Sequence, residues 1–203
     1  MTTVTLYDFP ESGNSWKIRQ LLHILDIPCK IVKMDGLKGA TRNDAFKKKN
    51  VDQRLPLLEL EDGSFLSESN AILHYLARGT GLSSGDPAEE AQILRWMFFE
   101  QCRVEATIAV VRFCMHYIPE EKRLKEFEGE LQRRGVDALQ VMDDHLSEND
   151  FFALNRFTIA DIALYAYTHV AGEADVDLSQ FPNIQSWIKR IEATPRYIPF
   201  DTR

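Results

Sequence analysis

Cysteine is scarce in this sequence, and no paired metal-binding spacing is present. The three cysteines, Cys29, Cys102 and Cys114, are scattered over 203 residues, a pattern typical of reduced cytoplasmic thiols and not of a disulfide framework. None of the five histidines lies four residues from another, so no helix presents a zinc-binding pair. These absences predict a cytoplasmic protein without a metal site.

Long apolar runs and an excess of positive charge are absent as well. The longest apolar stretch, near residues 159–171, is interrupted by Asp161 and His169, so we expect no membrane span. The first residues have neither the basic nor the apolar region of a secretory signal. With 24 Lys and Arg against 31 Asp and Glu, the net charge is −7, which argues against nucleic acid or an anionic membrane as the main partner.

The sequence does have an ordinary apolar share of 44%, enough for a globular core. Its first part alternates strand and helix patterns. Residues 4–7 read as a strand, and a helix follows for which we predict Ser15 as the N-cap residue. Its predicted apolar stripe is Ile18, Leu21, Leu22 and Leu25. Residues 29–34 form the next strand, and the order strand, helix, strand favours a parallel pair.

Residues 54–78 read as strand, turn, strand and helix. Asp62-Gly63 is a strong hairpin signal because both residues tolerate positive φ. The helix that follows has Ile72, Tyr75 and Leu76 as its predicted apolar stripe. Pro56 removes a donor from the first strand, so the backbone there is predicted to bind something other than a neighbouring strand. We expect the Leu55–Pro56 bond to be cis.

The connection 36–54 is basic, with room for one helix. Its basic residues are Lys38, Arg42, Lys47, Lys48, Lys49 and Arg54, against Asp44 and Asp52. We interpret it first as a solvated surface helix. The alternative is a patch that attracts a small anionic ligand.

After a linker rich in glycine and serine at 79–86, the pattern is helical throughout. Helices are predicted from Pro87 to about Tyr117, over residues 120–146 and 162–171, and from about 182 until Pro195. Thr158 and Asp161 match a variant of the capping box. We predict that their role is structural.

A β-α-β and β-β-α module with a proline opening its third strand is the thioredoxin-like arrangement. Its reactive group lies where the first strand meets the first helix, because helix N-termini stabilise anions. Here Ser12 and Ser15 occupy the positions of a redox dithiol, which excludes disulfide exchange by the protein's own thiols. The Ser12 hydroxyl can donate to a bound thiolate; the alternative is that it is only a turn residue.

The chain resembles the cytosolic glutathione transferases over its whole length. The matching stretches are residues 12–19, residues 50–58 with Leu55-Pro56, residues 68–72 and residues 158–161. The loop at Ser12 resembles the serine-type branches of that family (zeta, theta and delta-like), in a bacterial-type member. The resemblance implies an α/β thioredoxin-like glutathione-binding domain at 1–78, a linker at 79–86, and an all-α domain at 87–203 that contributes the electrophile pocket.

The resemblance also implies roles for residues in the first domain. Ser12 would stabilise the glutathione thiolate. Leu55 would present its backbone to the cysteinyl residue, with Pro56 cis so that this edge faces the ligand. Glu68 and Ser69 would hold the γ-glutamyl end.

The residues that would bind the glycyl end and the second substrate are assigned from a looser match to the family. Gln53, helped by Lys38, is placed for the glycyl end. Arg103 and Tyr117 are candidates to face a small hydrophobic electrophile. The family's usual glycine before the Thr-x-x-Asp box is missing, and Asn70 replaces a basic residue common in relatives. Both departures leave the class within the family open.

The implied reaction is attack of the glutathione thiolate on an electrophilic carbon, without a metal, in a homodimer. The N-terminal domain of one chain would contact the helical domain of the other. We interpret Trp96 and Phe98 as core or dimer contacts. A glutathione-dependent isomerase or peroxidase on the same site remains an alternative, as does a non-catalytic binding or regulatory protein.

Overall fold

The computed structural model describes residues 3–200, which divide into two compact units. The first unit contains residues 3–80 and the segment 194–200, and the second contains residues 81–193. The chain therefore returns to the first unit after its last helix. The predicted division, with a linker at 79–86, did not include that return.

The first unit is built on a four-stranded mixed sheet. Its elements are β1 (Val4–Asp8), α1 (Gly13–Ile24), β2 (Cys29–Lys33), α2 (Asp44–Lys49), β3 (Leu57–Glu59), β4 (Phe65–Ser67) and α3 (Ser69–Ala77). The strand order is β2-β1-β3-β4. β1 is parallel to β2, as predicted, and β3 is antiparallel to both β1 and β4. The thioredoxin-like fold is thus confirmed, and the basic connection contains one short helix.

The core of the first unit lies between the sheet and the helices α1 and α3. Leu6 and Leu58 of the sheet, Ile18 and Leu21 of α1 and Ile72 of α3 are fully buried. Burial of each such side chain contributes about 2 kcal/mol. Two helices are thereby held against the sheet with their N-termini fixed.

The apolar stripe of α3 differs from the prediction. Ser69, Ile72, Leu73 and Ala77 are buried, whereas Tyr75 is 51% exposed. The buried positions follow the spacing i, i+3, i+4 and i+8 from Ser69, a regular helical face. The prediction of Tyr75 was wrong because it started the stripe at the first large apolar residue, whereas the small polar Ser69 begins it.

The second unit is helical, and its first helix runs without a break from residue 87 to 117. It consists of α4 (Pro87–Phe99), a π-helical segment (Glu100–Ala109) and α5 (Val110–Tyr117). The remaining helices are α6 (Lys125–Leu146), α7 (Ile159–Thr168) and α8 (Pro182–Glu192), with short 3₁₀ turns at Glu120–Lys122, Ala171–Ala174 and Leu178–Gln180. The all-α second half and the extent of the long first helix are confirmed. Its π-helical middle was not predicted.

Helix α7 lies at the centre of the second unit, since all ten of its residues are buried. It begins three residues earlier than predicted because Thr158 caps it directly. The Thr158 hydroxyl accepts from Ala160 N at 3.3 Å, and the Asp161 carboxylate accepts from Thr158 N at 2.9 Å. The predicted capping pair is therefore confirmed. Within residues 3–200, no helix is both long and apolar enough to cross a membrane.

Candidate functional site

Three strands of the sheet place three loops at one edge. Tyr7 of β1 pairs with Leu57 of β3, and Leu57 pairs in turn with Ser67 of β4. The strands β1 and β4 leave the sheet just after this row, and β3 enters it there. The segments that follow β1, precede β3 and follow β4 therefore emerge side by side, and they contain all the residues predicted to bind glutathione except Lys38, which follows β2.

The first of these segments ends in the N-terminus of α1, where the predicted cap was wrong. The helix begins at Gly13, and Ser12 is the N-cap residue, with its hydroxyl oxygen 3.4 Å from Ser15 N. Ser15 is fully buried instead, and its hydroxyl accepts from Phe9 N at 3.2 Å. Both serines suit a cap, so composition does not decide between them. The loop amide of Phe9 needs a buried acceptor, and Ser15 supplies it.

Ser12 can act as a donor in this position. Its oxygen accepts a long, weak bond from the backbone, and a hydroxyl that accepts keeps its own hydrogen to donate. The first turn of α1 contains no acidic residue, so the positive end of the helix dipole faces the space before it. This arrangement suits a thiolate or another anion.

An ion pair fixes the loop between β1 and α1. Asp8 is 2% exposed and pairs with Arg19 of α1. The same guanidinium donates to the carbonyl of Pro10 at 3.0 Å. The loop that carries Ser12 is thus tied to the second turn of the helix it precedes.

The third segment forms the N-terminus of α3 and has an unusual backbone. Glu68 is its N-cap residue, with φ +69° and ψ 113°, and its side chain makes no capping bond. A non-glycine residue in this region costs about 1–3 kcal/mol, and such strain clusters at ligand sites. The Glu68 carboxylate therefore does not cap its own helix.

Side chains of α1 and α3 join the two helix N-termini. Ser69 donates its hydroxyl to the Asn14 amide oxygen at 3.1 Å. Lys17, which is fully buried, donates to the Asn70 amide oxygen at 3.4 Å. These two bonds place the first turns of both helices next to each other at the edge described above.

The middle segment presents backbone beside those helices. The Leu55–Pro56 bond is cis, as predicted, and Leu55 precedes β3, so its N–H and C=O lie outside the ladder with β1. Asn50 shapes the preceding loop by donating to Arg54 O at 3.0 Å and accepting from Asp52 N at 3.2 Å. In this loop Gln53 has φ +57°, a second left-handed non-glycine residue among the predicted site residues.

Lys38 is less well placed than the other predicted residues. Its loop contacts the site, since a Cβ on Gly36 would lie 3.8 Å from Leu55 Cδ1. Its side chain is 86% exposed, however, and its ammonium lies 3.1 Å from the Asp35 carboxylate. The structure brings together the segments of Ser12, Leu55-Pro56 and Glu68-Ser69, but the Lys38 ammonium is held by a surface acid.

Tyr7 is engaged away from this edge. Its hydroxyl donates to Glu59 at 2.6 Å and accepts from Lys49 of α2. Its ring packs edge-on against Phe46, with centroids 6.0 Å apart. The tyrosine is therefore part of a polar cluster between the sheet and α2, in which its hydroxyl already has two partners.

The candidates for the second substrate lie in the second unit and are not close together. Arg103 is exposed in the π-helical segment, with its guanidinium 5.5 Å from the Phe99 ring. Tyr117 ends α5, about four turns further along the helix. Trp96 is 4% exposed and belongs to the core, whereas Phe98 is 67% exposed.

The sequence-based prediction of the site did not include four residues of α1 that contact neighbouring segments. They are Asn14 and Lys17, which face α3, and Trp16 and Gln20, which are buried on another face. Asn14 and Lys17 have the spacing i, i+3 that puts two side chains on one face. That spacing could have indicated a polar contact, but not its partner. Among residues 3–200, no cluster of three or more His, Cys, Asp or Glu side chains could hold a metal ion.

Family models match both halves of the chain. The glutathione S-transferase N-terminal domain matches residues 2–78, and the glutathione S-transferase C-terminal domain matches residues 103–195. The chain belongs to the glutathione S-transferase family. A glutathione S-transferase from Pseudomonas fluorescens has a similar crystal structure, with 44% identity, a TM-score of 0.93, and coverage of 97% of this chain and 98% of that one.

Curated members of the family that resemble the chain have different names. Elongation factor 1-gamma of Artemia salina is 30% identical over 86% of this chain, but the match spans only 41% of that protein. The disulfide-bond oxidoreductase YfcG of Escherichia coli is 26% identical, over 95% of this chain and 91% of its own length. Membership of the family therefore does not by itself define one reaction.

Proposed function

We propose that the protein binds reduced glutathione at the sheet edge described above and transfers its thiolate to small electrophiles. The observation that supports this most is the shared row of Tyr7, Leu57 and Ser67. This row places the N-termini of α1 and α3 beside the backbone of Leu55, which lies outside the ladder. Glutathione offers carboxylates, an ammonium group, amides and a thiol, and this edge offers a partner for each.

The γ-glutamyl end would bind at the start of α3. Its carboxylate would accept from the backbone N–H of Ser69 and from the other first N–H groups of the helix, which favour an anion. Its ammonium would pair with Glu68, whose side chain makes no bond to its own helix. The strained backbone of Glu68 supports this assignment, because strain of this kind persists where a side chain must be aimed at a ligand.

The cysteinyl and glycyl residues would bind along the middle segment. The backbone of Leu55 would exchange hydrogen bonds with the cysteinyl amides, in the manner of an added strand. The glycyl carboxylate would lie near Gln53, within the field of the basic connection, where Lys38 adds charge without a direct contact. The cis Leu55–Pro56 bond lies at this position.

Ser12 would stabilise the thiolate. A free thiol has a pKa of about 8.5, so only a few per cent is ionised at neutral pH. Lowering that pKa by about two units requires roughly 2.7 kcal/mol of preferential stabilisation of the anion. One charge-assisted hydrogen bond from Ser12 contributes about 1.5–3 kcal/mol, and the N-terminus of α1 adds to it.

In the reaction itself the sulfur lone pair forms a C–S bond with the electrophilic carbon. The leaving group departs with the electron pair of the bond it breaks, and the thiol proton passes to solvent when the thiolate forms. Arg103 and Tyr117 remain the candidate contacts for the electrophile. The serine-type class of the enzyme stays a prediction.

The test is a measurement of glutathione affinity by calorimetry together with turnover of a panel of substrates. The panel contains chloronitroaromatics, epoxides, hydroperoxides and low-molecular-weight disulfides. Binding with conjugation of electrophiles is the expected result. Binding with turnover of hydroperoxides alone would support a peroxidase on the same site. Absence of glutathione binding would contradict the proposal.

Glutathione-dependent disulfide reduction is a second candidate because of the similarity to YfcG along nearly its whole length. Ser12 and Ser15 replace a protein dithiol, so two glutathione molecules would supply both electrons. They would leave as glutathione disulfide while the substrate disulfide becomes two thiols. The non-catalytic alternative is favoured only by elongation factor 1-gamma, of which the chain spans about two fifths.

A further inference from the structure

The segment 194–200, here called the C-terminal clamp, packs along α1. Trp16 of α1 is fully buried, and its indole N–H donates to Ile198 O at 3.0 Å. The rings of Tyr197 and Phe200 lie on the same indole, each with its centroid 6.3 Å away. Trp16, four positions after Ser12, is therefore covered by residues 197–200.

One turn further along α1, Gln20 makes two hydrogen bonds to the clamp. It is 2% exposed, its amide nitrogen donates to Arg196 O at 3.0 Å, and its amide oxygen accepts from Ile198 N at 2.7 Å. A buried amide that uses both its donor and its acceptor on one backbone segment fixes the register between that segment and the helix.

The clamp also reaches the other end of α1. Arg196, with φ +64°, donates to the carbonyls of His23 and Ile24 at 3.2 and 3.3 Å. Those carbonyls belong to the last turn of the helix, where a cation is favourable. The clamp thus contacts α1 in its first, middle and last turns.

Helix α1 is held on another face by α3, through the bonds Ser69–Asn14 and Lys17–Asn70. Its position is therefore set by α3 on one face and by the clamp on another. Because Ser12 is the residue that caps α1, any shift of the helix moves the Ser12 hydroxyl with it. A misplacement of about 1 Å costs a reaction up to a hundredfold.

We propose that the C-terminal clamp positions α1, and that Gln20 and Trp16 are positioning residues that act on the glutathione thiolate through Ser12. This inference rests on the proposed function of Ser12. It gives residues 194–200 a role in the glutathione site, although they are distant in sequence from the residues that would touch the ligand.

The test compares Gln20→Leu with Gln132→Leu in the full-length protein. Gln132 is the control, since its amide on α6 also donates to a backbone carbonyl outside its own helix, Ala174 O of a 3₁₀ turn, at 3.0 Å. Deletion of all residues after Ala193 is a more drastic variant that can fail to fold, so Gln20→Leu is the variant that decides. The measurements are hydrogen exchange of α1, kcat and KM for glutathione, and the pKa of the bound thiol.

We expect Gln20→Leu to speed exchange of the α1 amides while α6 stays protected, and to lower kcat about tenfold with less than a threefold change in KM. The pKa of bound glutathione should rise towards that of the free thiol. The control should leave all three unchanged. Unchanged exchange in α1, or faster exchange with unchanged kcat, would overturn the proposal.

A double variant separates positioning from general loosening. If Gln20 acts through Ser12, adding Gln20→Leu to Ser12→Ala should lower kcat by less than twofold beyond Ser12→Ala alone, since the hydroxyl is already gone. Multiplicative losses would overturn the proposal. Wild-type glutathione binding and turnover are measured first. Their absence would count against the proposed function, whereas their presence with an unaffected Gln20→Leu would count against the clamp alone.

Discussion

At the scale of single residues, Ser12 is the first group to test. Ser12→Ala removes one charge-assisted hydrogen bond to the thiolate, while Glu68 and Ser69 would still hold the γ-glutamyl end and Leu55 the cysteinyl backbone. We expect turnover to fall roughly tenfold to a hundredfold and glutathione affinity to stay nearly intact. Stopped-flow turnover and calorimetric titration measure these two effects, and the ultraviolet absorbance of the bound thiolate against pH reports the pKa of the thiol.

Ser15→Ala is the natural comparison for Ser12→Ala. Its buried hydroxyl accepts from Phe9 N, so its loss should lower stability more than it changes the thiol pKa. If Ser12→Ala leaves both rate and thiol pKa unaltered, the donor role passes to Ser15 or to the amides of the loop.

The strained backbone at Glu68 leads to a second prediction. Glu68→Gly relieves a conformation that costs about 1–3 kcal/mol. Glycine also loses more conformational entropy on folding, which lowers the stability by about 0.5–1 kcal/mol. We expect the free energy of unfolding to stay equal or to rise by about 1 kcal/mol, with a loss of glutathione affinity of tenfold or more. Asp175→Gly is the control, since Asp175 has φ +57° on an exposed turn of the second unit.

Denaturant unfolding measures the stability of both variants, and calorimetric titration measures their affinity for glutathione. The control should show a similar or larger gain in stability and unchanged affinity. A Glu68→Gly variant that binds glutathione as tightly as the wild type would remove Glu68 from the site.

At the scale of elements, close packing between α6 and the π-helical segment depends on one glycine. A Cβ on Gly135 would lie 3.1 Å from Ile108 Cγ1 and 3.3 Å from the Thr107 hydroxyl, whereas a Cβ on Gly129 of the same helix would meet nothing within 4 Å. We expect Gly129→Ala to stabilise by up to about 1 kcal/mol through helix propensity. Gly135→Leu should destabilise by about 1–3 kcal/mol through overpacking.

The midpoints of urea unfolding at unchanged m-value measure this pair. Equal midpoints for Gly135→Leu and the wild type would mean that α6 can move away from the long helix, contrary to the packing described. The comparison is internal to one helix, so differences in expression or buffer affect both variants alike.

Helix α7 carries two buried groups whose pKa values shift in opposite directions. Burial raises the pKa of Asp161 from 3.8 to about 6, although hydrogen bonds from Phe152 N, Thr158 N and Trp187 oppose the rise. Burial lowers the pKa of His169 from 6.5 to about 4. The contribution of Asp161 to stability is therefore lost as pH rises from about 4 to 6, and that of His169 is lost as pH falls from about 6.5 to 4.

Each shift corresponds to about 3 kcal/mol, so the two slopes nearly cancel in the wild type. Relative to the wild type, the free energy of unfolding of Asp161→Asn should rise with pH between 4 and 6, and that of His169→Phe should fall. His169→Phe preserves a ring on Tyr165, whose centroid lies 4.2 Å from that of the histidine. Chemical denaturation at closely spaced pH values measures the slopes, and parallel curves for all three proteins would contradict the opposing shifts.

Much of the architecture was predictable because it depends on local pattern. The parallel β1–β2 pair follows from the strand, helix, strand order, and the capping pair Thr158 and Asp161 follows from its motif, although the start of α7 was predicted three residues too late. The N-cap of α1 was not predictable, since Ser12 and Ser15 have the same capping chemistry and a loop amide decides between them. The exposure of Tyr75 depends on the buried Ser69, which carries no apolar signal.

Contacts between distant segments were the least predictable part of the site. The segments of Ser12, Leu55 and Glu68 were brought together only through the family resemblance, and the structure gives the physical reason in the register of three strands. The clamp on Trp16 and Gln20 comes from residues more than 170 positions away in sequence. Spacing within one helix carries no information about such a partner.

At the scale of the whole molecule, exposed apolar side chains bear on the assembly of the protein. We expect a homodimer in which the N-terminal domain of one chain contacts the helical domain of the other. The family resemblance is the main basis. Phe98, at 67% exposed, and Val51, at 79%, are large apolar side chains left in solvent by the two units. In a monomer both side chains stay in contact with water, whereas burying each of them in a dimer would contribute about 1–3 kcal/mol to its stability.

Light scattering across a dilution series should therefore give about twice the 23.4 kDa mass of one chain. Phe98→Lys should shift the equilibrium towards monomer at least tenfold, because a charge would be buried or the contact opened. Leu124→Lys provides a control for charge alone at a second exposed apolar position, 72% exposed, and should leave the dimer intact. A single-chain mass at every dilution of the wild type would refute the dimer. If only the control variant dissociated, the contact would lie near the start of α6 instead of at Phe98.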